Sequence, residues 1–591
     1  MTNSSVHSKL LSRMFFRLLP YQVLMLVINA ANCIVDSIFA SNFIGKTAMT
    51  SIGFYAPMDH FLFALSIMLV SGSQLLIGRA LGRNDLEEVR TCFSSDLAAA
   101  FCVSVVTSLA MVLAAATNAF GVIVKKPEEL ASFNSYLLGQ APGIPALVLG
   151  QQFFAFLSLE NKTKRTMAAG ICCVAVNTVM DVLFVYAANL GTFGLGLGSA
   201  VAVWAFCLVN ASYYFTGKSE MKFSLRSFRM KKCLDIVQMG YPGAISRFVE
   251  MFRCFIVNLL ILRYVGSGGL SAFAASNSVM AIFWPVPFGM MAVTRMMLGI
   301  SIGEEDRSSL VGTCRVFMRN CMVFQLCLTA LLVLLARPFT LLFFRDPADE
   351  VYQMTLMGLR ILPLCMPLAV ISLNFACYAQ AMEKKFLSVA LPVLDGMVGV
   401  VCCSLVLIPA MKMTGLYIAN VINGVLCFLL IFFHAWAAGK KFPRSAEDLL
   451  VVPDSFGAAP EDRMDLEIQS MPEVMEISAR VMDFCAERGV DSRRASHASL
   501  ALEEMAGNIV SHGFTADHKK HHYIMIRVIR KGDDLILRLR DNCAAFDPLE
   551  RAKMIRQEDP VSNIGLRIVL GISRDVRYQN LLGTNVLTLR L

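Results

Sequence analysis

Charge is scarce in this sequence: Asp, Glu, Lys and Arg make up 16% of its 591 residues, against 56% hydrophobic residues and a mean hydropathy of +0.60. That balance excludes an array of soluble domains, which at this length would number about four at roughly 150 residues each. Cysteines at metal-ligand spacing are missing too. None of the 18 cysteines forms a CxxC pair, and Cys172/Cys173 and Cys402/Cys403 are adjacent doublets. Neither a zinc site nor a disulfide framework is expected, and the cysteines read as small apolar fillers. A phosphate-binding GxxxxGK[ST] loop is also lacking, since GKT at 45–47 has Ala40 at the first glycine position and GKS at 217–219 has Ser212 there. That excludes an ATP-driven pump of the ABC type. With no separate signal peptide before the first long apolar run, the N-terminus is expected in the cytoplasm with Lys9, Arg13 and Arg17.

The charge that is present lies unevenly. Of 97 charged residues, 43 fall within 444–591, so charged density rises from about 12% before Arg444 to about 29% after it. A shift of that size marks a change of solvent from lipid to water. The first part carries a net +12 and the second −3, and the positive excess sits in short loops between apolar runs. It reads as membrane topology and not as nucleic-acid binding.

Runs long enough to cross about 30 Å of hydrocarbon as helices fall near 18–40, 51–77, 91–116, 131–158, 166–188 and 198–216. After a basic loop at 217–236, six more fall near 238–262, 271–297, 316–336, 351–381, 387–409 and 415–436. With the N-terminus inside, the inner segments carry 22 basic residues and the outer loops 7, which supports twelve spans with both termini cytoplasmic. Residues 1–216 and 237–443 then form two six-helix bundles, joined through 444–462 to a polar module at 463–591. The halves repeat at an offset of 221 to 222 residues: Gly78 matches Gly299, Gly82 Gly303, Asp85 Asp306, Pro142 Pro363, Gly194 Gly415 and Pro20 Pro242. Such a duplication is transporter architecture, with substrate expected between the halves.

VDSIF (35–39), SGSQLLIGRALGRND (71–85), ENKTKRTM (160–167) and NTVMD with GLGLGSAVAV (177–203) resemble, in order and spacing, the multidrug and toxin extrusion (MATE) family over residues 10–440. The resemblance implies a V-shaped pair of bundles in a bacterial-type plasma membrane, exporting small organic, often cationic, compounds in exchange for H⁺ or Na⁺. It carries cation or proton coupling onto Asp36, Asn177 and Asp181, and places Val203 where the family has a small polar residue on span 6, so that one coordinating group is expected to be missing. Ionisable groups inside spans are functional candidates in their own right, although capping or helix-packing roles are open to them. Asn177 and Asp181, four apart, share a helix face. Glu250 matches a glutamate of one bacterial branch, but has Arg247 and Arg253 three residues away on either side, and Val370 stands near the branch's accompanying carboxylate. A simple Glu/Arg pair fits equally well. Asp59, His60 and Asp395 also lie in spans and match no family site.

In the polar module MDLEIQS, HYIMIRVIR, DLILRLRD and NVLTLRL read as strands, Pro472 opens one helix and Asp491 caps a second. The pattern is an α+β sandwich with helices on one face of a mixed sheet. ALEEMAGNIVSHGF (501–514), LRDNCAAFDP (539–548) and NIGLRIVLGISRDVRY through LLGTNVLTLRL (563–591) resemble the nucleotide-binding boxes of GHKL ATPases, in particular the anti-sigma-factor serine/threonine kinases. The resemblance implies ATP and Mg²⁺ as cofactors. Asn508 would hold Mg²⁺, Glu504 would be the general base, Asp541 would accept from the adenine amino group beside Thr584, and Gly565 would lie near the phosphates. Cys543, Ala545 and Asn563 stand where that family has glycines, and their Cβ atoms narrow the backbone's approach to nucleotide. No histidine-containing dimerisation helix precedes the module, so a phosphoryl acceptor would be a Ser or Thr on a separate cytoplasmic protein.

An ion-coupled antiporter with an ATP-binding regulatory domain is the leading expectation. A membrane receptor controlling a kinase-type partner switch is the alternative, and a lipid-linked sugar flippase the second.

Overall fold

The computed structural model describes the chain except residues 1–2, 45, 123, 125, 218, 220, 345, 454, 517–521 and 552–563. Among the described residues ten helical segments are long and apolar enough to cross a membrane, from Leu11–Ile28 to Lys385–Gly439. The last has 55 residues, about 80 Å at ~1.5 Å per residue, far more than one crossing. It breaks at Lys412 (φ 52°, ψ −133°), between the two spans predicted there. One more helix, Met230–Tyr264, has membrane length, but Arg247, Glu250, Arg253 and Arg263 lower its hydropathy. With these two readings the described helices account for all twelve expected spans, and Pro20 and Pro242, matched by the repeat, both lie inside long helices.

The repeat's glycines explain how the halves meet. A Cβ on Gly78 would lie 3.2 Å from the Cα of Gly299, and one on Gly82 would overlap the Ile300 carbonyl. Spans 2 and 8 therefore touch backbone to backbone near their ends on the side of the polar module. Spans 2 and 7 do the same through Gly72 and Gly240, and Ser71 Oγ donates to the Gly240 carbonyl at 3.2 Å. Arg79 Nη1 reaches Glu383 Oε1 at 2.6 Å across the same boundary. The two halves are closed against each other on the module's side.

The module is built on a five-stranded sheet in the order β1-β2-β3-β5-β4: Arg463–Ile468, Ile524–Lys531, Asp534–Asp541, Thr584–Arg590 and Asp575–Leu581. Every pairing is antiparallel, which corrects the expected mixed sheet, and β4, in which Val576 and Tyr578 alternate with polar residues and pack against the core, was not foreseen. The helices Met471–Glu487, Ser492–Asn508 and Ile564–Ile572 contribute to one core with Leu466, Ile526, Leu537, Leu539 and Leu589. Asp491 caps the second of them by accepting from the backbone N–H of Arg493 and Arg494.

The segment 444–462, expected to be a plain tether, is seated on the membrane part. Its short helix Ala446–Leu450 opens with a capping box between Ser445 and Asp448, whose carboxyl is held below the ordinary carboxylate range by Lys441 and the Ser445 hydroxyl. Leu450 and Val452 are buried in the membrane part's core, and the Leu450 carbonyl accepts from Tyr378 Oη at 2.7 Å and Lys384 Nζ at 2.5 Å.

Candidate functional site

In the first half, three helices bring the predicted coupling residues together. Asp36 lies near the end of Asn3–Phe39, and Asn177 and Asp181 lie one turn apart at the end of Thr163–Asp181, alongside the Asp36 carboxyl. Ser199, on Gly191–Ala211, donates its hydroxyl to Asp36 Oδ2 at 2.9 Å. Span 6 therefore does supply a small polar group, and the expectation that one was missing is corrected. The residue is Ser199, one helical turn before Val203 on the same face. Gly198 beside it leaves room for the Asp181 carboxylate, since a Cβ there would stand 2.5 Å from Oδ1. Asp36 Oδ1, Asn177 Oδ1 and both Asp181 oxygens are buried with no hydrogen-bond donor among the described residues. These four acceptors, three of them oxygens of two adjacent carboxyl groups, have the chemistry to receive a proton or a small cation.

The second half has no copy of this cluster: at the 222 offset that pairs Pro20 with Pro242 the counterpart of Asp36 is the exposed Asn258, and position 402, 221 after Asp181, is Cys402. Glu250 is held by Arg247 at 3.1 Å and Arg253 at 3.5 Å, which is the simple ion-pair reading. Val370 is fully buried among apolar side chains. Asp395, to which no role was assigned, accepts from Ser372 Oγ at 2.8 Å and Asn423 Nδ2 at 2.9 Å and lines a cavity with Glu250. Asp59 is half-buried and His60 exposed. Asp96, also overlooked, is fully buried in span 3.

In the polar module, Asn508 is exposed at the end of its helix with Glu504 one turn earlier. Gly565, at the start of Ile564–Ile572, lies directly on Glu504: a Cβ there would overlap the carboxylate. Thus Glu504, Asn508 and Gly565 converge. The oxygen donors of Glu504 and Asn508 suit Mg²⁺, and the opening of the helix at Gly565 suits phosphate. Asp541 ends β3, buried, and its Oδ1 accepts from the Cys543 N–H at 2.9 Å and from Asn585 Nδ2 at 2.8 Å. Tyr578 Oη in turn donates to Asn585 Oδ1 at 2.8 Å. The partner of Asp541 on β5 is therefore Asn585, paired with it in register, while alternation turns Thr584 to the opposite face of the sheet. There Thr584 lines a cleft with Leu11, Met14 and Glu304 of the membrane part, which corrects its expected place beside Asp541. Cys543 keeps its backbone contact to Asp541 while its side chain is buried beside Gly513. Ala545 lies in the turn after it, and Asn563 lies outside the described residues.

That opposite face is the least expected part of the module. Asp465, Arg527, Arg538, Thr588 and Arg577 form one row across all five strands, with Arg527 directly opposite Arg538. Like charges in such pairs are destabilising. The row is neutralised by an acidic loop between spans 8 and 9: Arg540 Nη2 meets Glu304 Oε1 at 2.6 Å, Arg538 Nη1 meets Glu304 Oε2 at 3.6 Å, Arg527 pairs with Asp306 and Asp465, and Lys531 with Glu305. Burial pushes the Arg538 guanidinium below its ordinary pKa, against the attraction of Glu304. From the same face Arg577 Nη1 donates to the Arg83 carbonyl at 2.8 Å, in the first half's copy of that loop. The sheet thus bridges both halves at the side where they close.

Two six-span halves closed against each other, joined to an α+β domain, define a multi-pass membrane protein of duplicated six-helix architecture with a fused ATPase-like module. Residues 22–183 and 242–401 match the MatE family model, and 469–591 match the histidine kinase-like ATPase domain model. The chain belongs to the MatE family. Among curated proteins it is similar to the multidrug resistance protein NorM of Vibrio cholerae, 25% identical over 171 residues, covering 28% of this chain and 37% of that protein. It is also similar to a probable NorM of Streptococcus pneumoniae, 24% identical over 315 residues, covering 51% of this chain and 67% of the relative. A solved outward-facing multidrug resistance MATE transporter superposes with a TM-score of 0.66 at 19% identity, covering 73% of this chain and 96% of that one, a likeness of fold.

Proposed function

We propose that the protein is an ion-coupled antiporter that exports organic compounds, and that its C-terminal domain binds ATP with Mg²⁺ and regulates the opening of the transport path. The observation that carries the regulatory part is the sheet that spans both halves through buried ion pairs. Alternating access requires the halves to part on the module's side. A domain fixed to Glu304 on one half and to the Arg83 carbonyl on the other resists that parting, so its release is a control point.

The coupling ion, H⁺ or Na⁺, binds at Asp36, Asn177, Asp181 and Ser199, because four buried acceptors without donors demand a positive partner. Glu250, already neutralised by two arginines, takes no coupling role. In the ATPase-like domain Asn508 and Glu504 would hold the metal side of the nucleotide, Gly565 would lie at its phosphates, and Asp541, hydrogen-bonded to Asn585, would receive the base. Bound ATP supplies anionic phosphates and a transferable phosphoryl group. The module faces the cytoplasm, as the loop charges indicate, where ATP is available.

The test is ion-driven dye flux in proteoliposomes, measured with and without ATP and with Asp181→Asn. Loss of flux in D181N and an ATP-dependent rate are expected; flux unchanged in both comparisons overturns the proposal. Retention of Glu504 against Gly565 favours a second reading, in which the domain phosphorylates a Ser or Thr of a cytoplasmic partner. Transfer of labelled phosphate to a cytoplasmic protein, abolished by Glu504→Gln, would select it.

A further inference from the structure

A cavity of about 470 Å³, within the range of sites for drug-sized ligands, is lined chiefly by spans 7, 8, 10, 11 and 12 of the second half and reaches Leu26 and Ile67 of the first. Its charged lining is Arg247, Arg253 and Arg295 against Glu250 and Asp395, an excess of one positive charge. Both carboxylates are engaged. Glu250 holds two of the arginines, and Asp395 is satisfied by Ser372 and Asn423. Arg295 is left over. It is only 4% exposed, its contact is the weak acceptor Cys377 Sγ at 3.7 Å, and its Nε has no hydrogen-bond partner among the described residues. A buried guanidinium without a carboxylate is costly unless a ligand supplies one, and its planar fork matches a carboxylate or sulfonate. The same wall presents the aromatic rings of Trp284 and Phe288, centroids 5.8 Å apart and tilted by 37°, with the Arg247 guanidinium 5.0 Å from the Phe288 ring centroid.

We infer that this cavity is the cargo site and that it takes an aromatic organic anion, its acid group on Arg295 and its ring against Trp284 and Phe288. This rests on the export reading and reverses the charge of the cargo expected from the sequence. Glu250 and Asp395 then serve to hold Arg247, Arg253 and the span 11 turn in place, and do not attract a cation.

Two dyes built on the same xanthene ring system but of opposite charge, fluorescein and rhodamine 123, separate the alternatives. Each is titrated into the full-length protein in nanodiscs of zwitterionic lipid. Fluorescein is expected to bind at least tenfold tighter than rhodamine 123. Arg295→Gln should weaken fluorescein at least tenfold and leave rhodamine 123 unchanged, while Arg295→Lys keeps most of the fluorescein affinity. Should R295Q fail to fold, R295K and the comparison of dyes on the unaltered protein still decide. Equal or tighter rhodamine 123 binding, or fluorescein binding indifferent to Arg295, overturns the anion site. Arg295-dependent fluorescein binding without ion-driven flux in proteoliposomes would instead remove the export reading and leave the site standing. Rhodamine 123 flux indifferent to Arg295 would do the reverse.

Discussion

Replacing Glu304 with glutamine removes the carboxylate on which Arg538 and Arg540 converge while keeping its shape. The side chains are 3%, 13% and 11% exposed, so the two guanidinium groups are left in a site that water barely reaches. Breaking a buried pair by removing one partner costs about 3–5 kcal/mol, and at ~1.4 kcal/mol per tenfold the docking equilibrium should shift by roughly two to three and a half orders of magnitude. The neighbouring Lys531 and Glu305 pair does not compensate, since both side chains are more than half exposed and such pairs contribute at most about 1 kcal/mol. Hydrogen exchange of the 444–462 backbone in nanodiscs, with pulsed trypsin digestion at Arg463, reads the docked state. E304Q should raise both rates, and the double variant Glu304→Arg with Arg540→Glu should exchange more slowly than either single variant. Wild-type protection in E304Q, or a double variant no better than the singles, would refute the idea that these pairs hold the domain in place.

Asp36→Asn and Asp181→Asn should each abolish ion-driven flux, whereas Ser199→Ala, which removes one hydrogen bond worth about 1 kcal/mol, should weaken ion affinity only about fivefold; flux against ion concentration measures both. Gly565→Ala pushes the Glu504 carboxylate out of place and should reduce Mg²⁺-dependent binding of labelled ATP by at least tenfold without changing exchange in the linker. Asn585→Ala deprives Asp541 of a buried donor and should weaken adenine nucleotides while leaving inorganic polyphosphate binding alone, whereas Thr584→Val should leave ATP affinity unchanged. Equilibrium binding to the full-length protein decides between them.

The membrane architecture was legible because hydrophobic length, loop charge and a 221-residue repeat are properties of the chain itself. Asp36, Asn177 and Asp181 were legible as ionisable or polar groups in apolar runs. Ser199 was not: serine is common in such helices, and one turn on the same face separates it from Val203. Partners across space were the harder part. The alternating arginines of IRVIR and LRLRD read as a solvent face, and period 2 correctly separates the two faces of a strand. It does not say whether water or an acidic loop more than 200 residues away covers the polar one. Nor did EED at 304–306 announce itself, being three acids in a short turn. Asn585 and Thr584 differ by one position, and only the register with Asp541 tells which of them shares its face of the sheet.

That register also gives the regulatory proposal a physical path. On β3, Asp541 points toward the nucleotide side and Arg540, the next residue, toward Glu304; on β5, Asn585 joins Asp541 while Thr584 and Val586 face the membrane part. Only the backbone of two paired strands separates the two sides. A base binding at Asp541 competes for the oxygens that now order Asn585 and the Cys543 turn, and any change in twist or register at that end of β3 moves the Arg540 side chain on the other face. The ion pair beneath is buried and geometrically demanding, so a small displacement loses much of its energy. Coupling of this kind requires two arrangements of the sheet end with different affinity for nucleotide, and by reciprocity release of the domain must then alter nucleotide affinity by the same factor. E304Q therefore bears on both sites at once: if the path runs through β3, freeing Arg540 from Glu304 changes the affinity for ATP although no residue that touches nucleotide has been altered.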